Sequence, residues 1–314
     1  MTQTPGVLCC GNIVFDTLVR PAPNETHWHT SLWVDSIEQQ IGGNGANTAI
    51  AVARLGVPAR LAGRVGKDAN GERVLAILRE SGVDISFVDR GEEPTSASVA
   101  LVRADGARAL LHCPGVSRSV FNPPPALEGA LSAGCGFLHI GNPFGVPGLR
   151  ANGLEMLKEA HRLGMRTSID GGWDSRGEWL RALVPSLAET DVLFVNHDEA
   201  RELTGHTEPP RQAEILREAG AKAVVIKLGA EGCAIFEKNR QFHSPGFKVT
   251  VRDTTGAGDC FAGGFLAGLA RGMDFPEAAR LANAVGARSV TAVGSITGLL
   301  SFEETLAWVR TVQE

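Results

Sequence analysis

Four short apolar runs constrain the fold of this chain more than any other feature. They are "FLHIG" (137–141), "RTSID" (166–170), "VLFVN" (192–196) and "AVVIKLG" (223–229). Runs of this length without polar alternation fit strands buried on both faces. Helical stretches separate them. "LRANGLEMLKEAHRLG" places Leu149, Leu154, Leu157 and Leu163 near one face and stops at Gly164. "HDEARELTG" stops at Gly205 and "RQAEILREAG" at Gly220. A glycine just past a helix relieves the left-handed turn that ends it. Strand–helix alternation then predicts an α/β fold, a mostly parallel sheet with helices on both faces.

The first third reads differently. "GVLCCGN" is a buried strand, whereas "FDTLVRP" and "SLWVDSIEQQIGG" read as half-exposed strands around a polar link. "SASVALVRADGARALLHC" reads as a hairpin turning at "ADGA". These segments predict a small β-sheet lid, from about 14–41 and 96–114, on a single domain spanning 1–314. "NPPPALEG" (122–129) is the return point to the main body. An edge-exposed lid needs cover, and a homodimer through it would supply that.

With 314 residues, 43% of them hydrophobic, the chain can bury a full core. A net charge of −5 with scattered Lys and Arg gives no sign of a nucleic-acid or membrane-surface binder. No apolar run reaches the roughly 20 residues that span a bilayer. The start "MTQTPGVLCCGN" shows no secretory leader, and the cysteines make no C-x-x-C pair. Reduced thiols in a cytoplasmic protein are the expectation.

The stretch "DTTGAGDCFAGGF" (253–265) carries the chemistry. Its glycines resist both strand and helix, yet Phe261, Phe265, Leu266 and Leu269 follow at helical spacing. A turn of small residues therefore opens a helix, whose first N–H groups lack partners and carry partial positive charge. Without side chains in the way, an anion can approach them. Asp259 at that mouth can take a proton from a hydroxyl group, while the turn holds phosphoryl oxygens. The competing reading makes Asp259 an ordinary helix cap.

Three further motifs accompany it. "GGNGANTAIAVARLG" (42–56) again leads glycines into a helix, with Asn47 in its first turn; a packing helix would look the same. "FVNHDE" ends a strand at Asn196 and places Glu199 three residues on, suited either to magnesium through water or to a capping box. "KLGAEG" (227–232) offers Gly229 and Gly232 as a floor for a flat nucleotide, or is a plain turn. The chain has no G-x-x-x-x-G-K-[ST], so ATP binding would not use a P-loop. It also lacks a strand-led G-x-G-x-x-G, which argues against a nicotinamide cofactor.

Together these residues resemble the ribokinase-like (PfkB) carbohydrate kinase family. "GGNGANTAIAVARLG" is similar to its N-terminal motif, and "DTTGAGDCFAGG" to its C-terminal motif almost letter for letter. The resemblance spans essentially the whole chain and implies a three-layer αβα fold with a β lid. It implies ATP, Mg2+ and in many members K+. It makes Asp259 the base and Gly256, Ala257 and Gly258 the anion hole. Asp16, Gly42, Gly43, Asn44, Asn47 and Asn142 would face the sugar. Asn196, Lys227, Gly229, Gly232 and Asn283 would serve the nucleotide, with Glu199 near magnesium. Asp253, Thr255, Ser289, Ala292 and Gly294 match a monovalent-cation loop.

Three positions depart from the ribokinases proper: Val14 replaces an Asn, Asn44 a Lys, and Asn142 a Glu. Losing these partners leaves ribose hydroxyls unpaired, so a fructose-like ketose or sugar acid is expected instead. Trp28, Trp33 and His112 could close over such a substrate, or the tryptophans could pack a dimer. Two alternatives stay open: a nucleoside kinase, with Trp28, Trp33 or Phe144 as a platform for the base, and a non-catalytic sugar sensor. The sensor has no use for Asp259.

Overall fold

The computed structural model describes residues 4–22, 29, 31–104, 108–238 and 240–312. Trp28 and the tip of the "ADGA" turn lie outside them. In chain order the elements are β1 (Gly6–Cys10), β2 (Val14–Arg20), β3 (Ser36–Gly42), α1 (Asn44–Arg54), β4 (Ala59–Gly66), α2 (Ala69–Glu80), β5 (Asp84–Gly91), β6 (Ser96–Val102) and β7 (Arg108–Cys113). Then come α3 (Leu127–Ser132), β8 (Cys135–Gly141), α4 (Pro147–Arg162), β9 (Arg166–Asp170), α5 (Trp179–Leu187), β10 (Val192–Asn196), α6 (His197–Thr204) and α7 (Pro209–Glu218). The last are β11 (Ala223–Lys227), β12 (Gly232–Glu237), β13 (Arg240–Pro245), α8 (Ala257–Ala270), α9 (Phe275–Ser289) and α10 (Phe302–Thr311).

Nine strands form the large sheet in the order β13-β12-β11-β10-β9-β8-β1-β4-β5. It is parallel from β5 to β11 and antiparallel only where β12 and β13 are added. Alternate side chains of a strand enter opposite layers, and β1 shows this directly. Val7 and Cys9 join a core with α1, α2, α8 and α9, while Leu8 and Cys10 join the core under α3 to α7. On α4 the buried stripe is Leu149, Gly153, Met156, Leu157 and Ala160; Leu154, expected on that face, is only half-buried.

The second sheet has four strands in the order β3-β2-β6-β7. β2 pairs antiparallel with β3 and parallel with β6, and β6 and β7 form the hairpin. β3 starts at Ser36, later than the sequence pattern suggests, and leaves Trp33 outside the strand at 95% exposure. Parallel strands deliver ligand-binding residues at their carboxyl ends. Here Asn142 follows β8, while Asp170, Asn196 and Lys227 are the last residues of β9, β10 and β11.

Candidate active site

The helix after the glycine turn begins at Ala257, two residues earlier than its apolar spacing shows, and Gly256 takes the N-cap position with φ 71°. That left-handed value suits glycine, and a Cβ there would stand 2.4 Å from Ser295 Cβ. Asp259 therefore lies inside the first turn and makes no capping bond. Its carboxylate turns away from the helix. Oδ1 accepts from Asn44 Nδ2 at 2.8 Å and Oδ2 from Asn47 Nδ2 at 2.9 Å. Both asparagines come from the first turn of α1, so the two glycine-led helices meet at this carboxylate. Asp259 is 8% exposed. Burial lifts its carboxyl above the usual range and Asp170 adds to that, while the two amides and Lys227 oppose it.

Two cavities meet here. One, of about 750 Å3, lies between the lid and the body and takes Asp16, Gly43, Asn47, Ser98, His112 and Asn142 into its wall. The other, of about 570 Å3, runs along the strand ends and includes Asn196, Glu199, Lys227, Gly229, Gly232 and Asn283. Asn44, Val251, Thr254 and Asp259 belong to both walls.

In the first cavity, Asp16 on β2 projects against Gly42 of the paired strand, where a Cβ would stand 1.9 Å from Asp16 Oδ2. Burial raises the Asp16 carboxyl, while a hydrogen bond from Ser98 and the charge of His112 act against that. Ser98 Oγ lies 3.0 Å from His112 Nδ1. Asn142 Nδ2 donates to Asn44 Oδ1 at 3.3 Å, so two of the three departures from the ribokinase pattern are neighbours. Phe144 is not in this wall. It is buried in the core, edge-on to Trp179 at 6.0 Å.

In the second cavity, Lys227 Nζ bonds both oxygens of Asp170 at 2.8 Å. The lysine is mostly buried, its side chain 12% exposed. Burial works to lower its basicity, yet Asp170 and Glu199 outweigh it and raise it. A Cβ on Gly258 would come within 3.1 Å of Nζ, so the cation stands beside the helix N-terminus. Sequence reasoning missed Asp170; its one local signal was its place at a strand end. Asn196 and Glu199 do form a reciprocal capping box, each side chain accepting from the other's N–H at 2.8 Å. Glu199 is nevertheless 7% exposed and lines the cavity, its carboxyl raised by burial and lowered by Lys227. Asn283 is largely committed to tying α9 to β13, donating to Ser244 O at 2.9 Å and Ser244 Oγ at 3.0 Å.

Of the remaining loop residues, Asp253 and Thr255 lie in the lid-cavity wall beside the turn. Asp253 accepts from Thr255 N at 2.9 Å and Thr255 Oγ1 at 2.7 Å, and from Gly294 N at 3.0 Å. Ser289 Oγ donates to Gly286 O at 2.8 Å within α9, and half-buried Ala292 lines neither cavity. Among the described residues no cluster of three His, Cys, Asp or Glu could hold a metal alone. No helix among them is long and apolar enough to cross a membrane.

An α/β body whose lid covers one of two cavities, joined at a buried carboxylate and a helix N-terminus, has the architecture of a small-molecule kinase. The sequence matches the profile of the pfkB family carbohydrate kinases over residues 7–301. The chain belongs to that family, and it is a phosphotransferase with an alcohol group as acceptor. Fructokinase-1 of Oryza sativa subsp. japonica is 33% identical over 287 residues, covering 84% of this chain and 87% of that protein. The aminoimidazole riboside kinase of Salmonella typhimurium is 30% identical over 271 residues, with 82% and 84% covered. The fold is shared with Arabidopsis thaliana ribokinase complexed with ribose and ATP, at a TM-score of 0.87 and 23% identity over 98% of this chain and 99% of that one.

Proposed function

We propose that the protein transfers the γ-phosphoryl group of ATP to the hydroxymethyl group of a neutral, fructose-like ketose. The observation that carries this is the shared wall: Asp259 faces the lid cavity and the strand-end cavity at once. A sugar in the first and a triphosphate in the second meet at its carboxylate. Asp259 takes the proton of the hydroxymethyl group as that oxygen attacks the γ-phosphorus, and ADP leaves. The N–H groups of Gly256, Ala257 and Gly258, with Lys227, hold the charge that gathers on the phosphoryl oxygens. Asp16 receives sugar hydroxyls from the lid, and its negative charge disfavours a sugar acid there. No Phe or Trp lines the lid cavity among the described residues, which favours a sugar over a nucleoside.

Gly229, Gly232 and Asn283 frame the nucleotide in this reading. The donor chemistry also fits magnesium, which keeps most of its waters and needs only one or two carboxylates beside the phosphates. Glu199 would hold it through water, and when bound it supplies charge neutralisation on the triphosphate. Asp253, Thr255, Ser289, Ala292 and Gly294 would surround a monovalent cation that stiffens the turn. On the lid face away from the cavity Ile37 and Leu111 are each more than 60% exposed, and a second copy packing there would cover them; sedimentation velocity reads that directly.

The test is coupled ADP release with ATP and magnesium, with and without potassium, over ketohexoses, pentoses, sugar acids and nucleosides. Fructose or a close ketose should lead. Preference for a nucleoside would replace the substrate class, and silence across the panel in folded protein would leave the sensor.

A further inference from the structure

Both amides that hold the Asp259 carboxylate are themselves held from behind. On the Asn47 side that support comes from Ser295, in the loop after α9. Ser295 Oγ donates to Asn47 Oδ1 at 2.8 Å, and Asn47 Nδ2 donates to Asp259 Oδ2 at 2.9 Å. Ile41 O, a second acceptor for that hydroxyl among the described residues, lies farther off at 3.4 Å. Ser295 is 1% exposed and Asn47 3% exposed, so water does not compete for either bond. The Ser295 main chain is fixed too, because its carbonyl accepts from Cys260 Sγ at 3.1 Å, one residue beyond Asp259. The serine thus contacts α8 through its backbone and α1 through its side chain, the two helices that meet at Asp259.

From this geometry we propose that Ser295 is a positioning residue for the phosphoryl transfer, acting on Asp259 through Asn47. The inference rests on the assignment of Asp259 as the base. An amide has two faces of similar shape, and only the N–H face can meet a carboxylate. The serine proton on Oδ1 fixes that orientation and polarises the amide, which strengthens its N–H as a donor. One lone pair on each carboxylate oxygen is then occupied, which leaves the others for a substrate hydroxyl. Without the serine hydroxyl, Asn47 Oδ1 is buried without its donor and the amide is free to turn. Ser295 lies outside the lid-cavity wall, so a sugar held in that cavity would not touch it. Its loss should therefore appear in turnover and not in sugar affinity.

The experiment compares Ser295→Ala, Ser295→Cys, Asn47→Ala, the Ser295→Ala/Asn47→Ala double variant and Asp259→Asn in single-turnover and steady-state assays. Ser295→Ala should lower kcat by about 10- to 100-fold and change the sugar KM by less than about twofold. Ser295→Cys keeps a weak donor of similar shape and should fall between serine and alanine. In the Asn47→Ala background, Ser295→Ala should cost nothing more, since the group it acts through is gone. Wild-type kcat in Ser295→Ala overturns the inference, as does a loss undiminished in the Asn47→Ala background. Should Ser295→Ala not fold, the cysteine variant carries the same comparison. Asp259→Asn separates the two readings: wild-type turnover there removes the base assignment itself, whereas a crippled Asp259→Asn beside an unaffected Ser295→Ala removes only the role of the serine.

Discussion

Replacing Lys227 by methionine separates stability from catalysis at the centre of the site. The lysine is the counter-ion of Asp170, bonded to both its oxygens at 2.8 Å, and the two side chains are 12% and 8% exposed. Removing one partner of such a buried pair costs about 3–5 kcal/mol, because the other charge stays behind without compensation. At about 2–3 °C per kcal/mol for a chain of this size, Tm should fall by roughly 6–15 °C. Adding Asp170→Asn removes the stranded charge as well and should restore most of that loss. Activity should respond differently. Nζ stands 3.1 Å from the Cβ position of Gly258, so a phosphoryl oxygen at the helix N-terminus would be a close neighbour. At about 4–5 Å and an effective dielectric near 20, the attraction is roughly 3–4 kcal/mol. Only the part that grows in the transition state appears in kcat, so a loss of about 10- to 100-fold is expected in both variants. Thermal melts and initial rates on the same preparations make the comparison. A double variant with restored Tm and wild-type kcat would refute the argument and leave Lys227 as a counter-ion alone.

Asp259→Asn should lower kcat by about 10²–10⁴-fold with sugar binding largely intact, as read by calorimetry beside turnover. Since burial raises the Asp259 carboxyl and only its ionised form accepts a proton, wild-type kcat should fall on the acid side at a higher pH than an ordinary aspartate would give. That acid limb should be absent from the asparagine variant's residual activity. Glu199→Gln keeps an oxygen to accept from the Asn196 N–H, so the cap and the Tm should hold, while the magnesium concentration for half-maximal rate rises. An unchanged magnesium titration would return the pair to capping alone. Gly42→Ala places a methyl 1.9 Å from Asp16 Oδ2 and must displace that carboxylate, so the sugar KM should rise by about tenfold or more in initial-rate measurements.

The main architecture was legible because it is written in local patterns. The buried runs at 137–141, 166–170 and 192–196 lie in strands of the large sheet, as does 223–229 up to Lys227, and the glycines after α4, α6 and α7 do have positive φ. Asp259 stood out because a carboxylate beside stripped backbone is locally unusual. What stayed hidden depends on residues distant in sequence. Asp170 meets Lys227 across 57 positions, and neither neighbourhood announces the other. Asn44 and Asn142, 98 positions apart, looked like two separate losses of a charged partner, yet the structure pairs their amides. Phe144 follows a strand end, and nothing in its neighbours reveals whether it faces the cleft or the core. Ser295 belongs to no motif, and only the fold brings it to Asn47.

Gly43 has a consequence for how substrate arrival is sensed. With φ 97°, it is the single residue between the last strand residue of β3, in the lid, and Asn44, the first of α1, in the body. A rotation at that residue moves β3, and Asp16 with it through the strand pairing at Val14 and Gly42. The same joint carries Asn44, whose amide holds Asp259. If Asp16 holds the sugar and Asp259 accepts its proton, as proposed, the two roles share one pivot. A sugar that drew the lid down would then adjust the carboxylate, and an ill-fitting sugar would be bound and still be poorly phosphorylated.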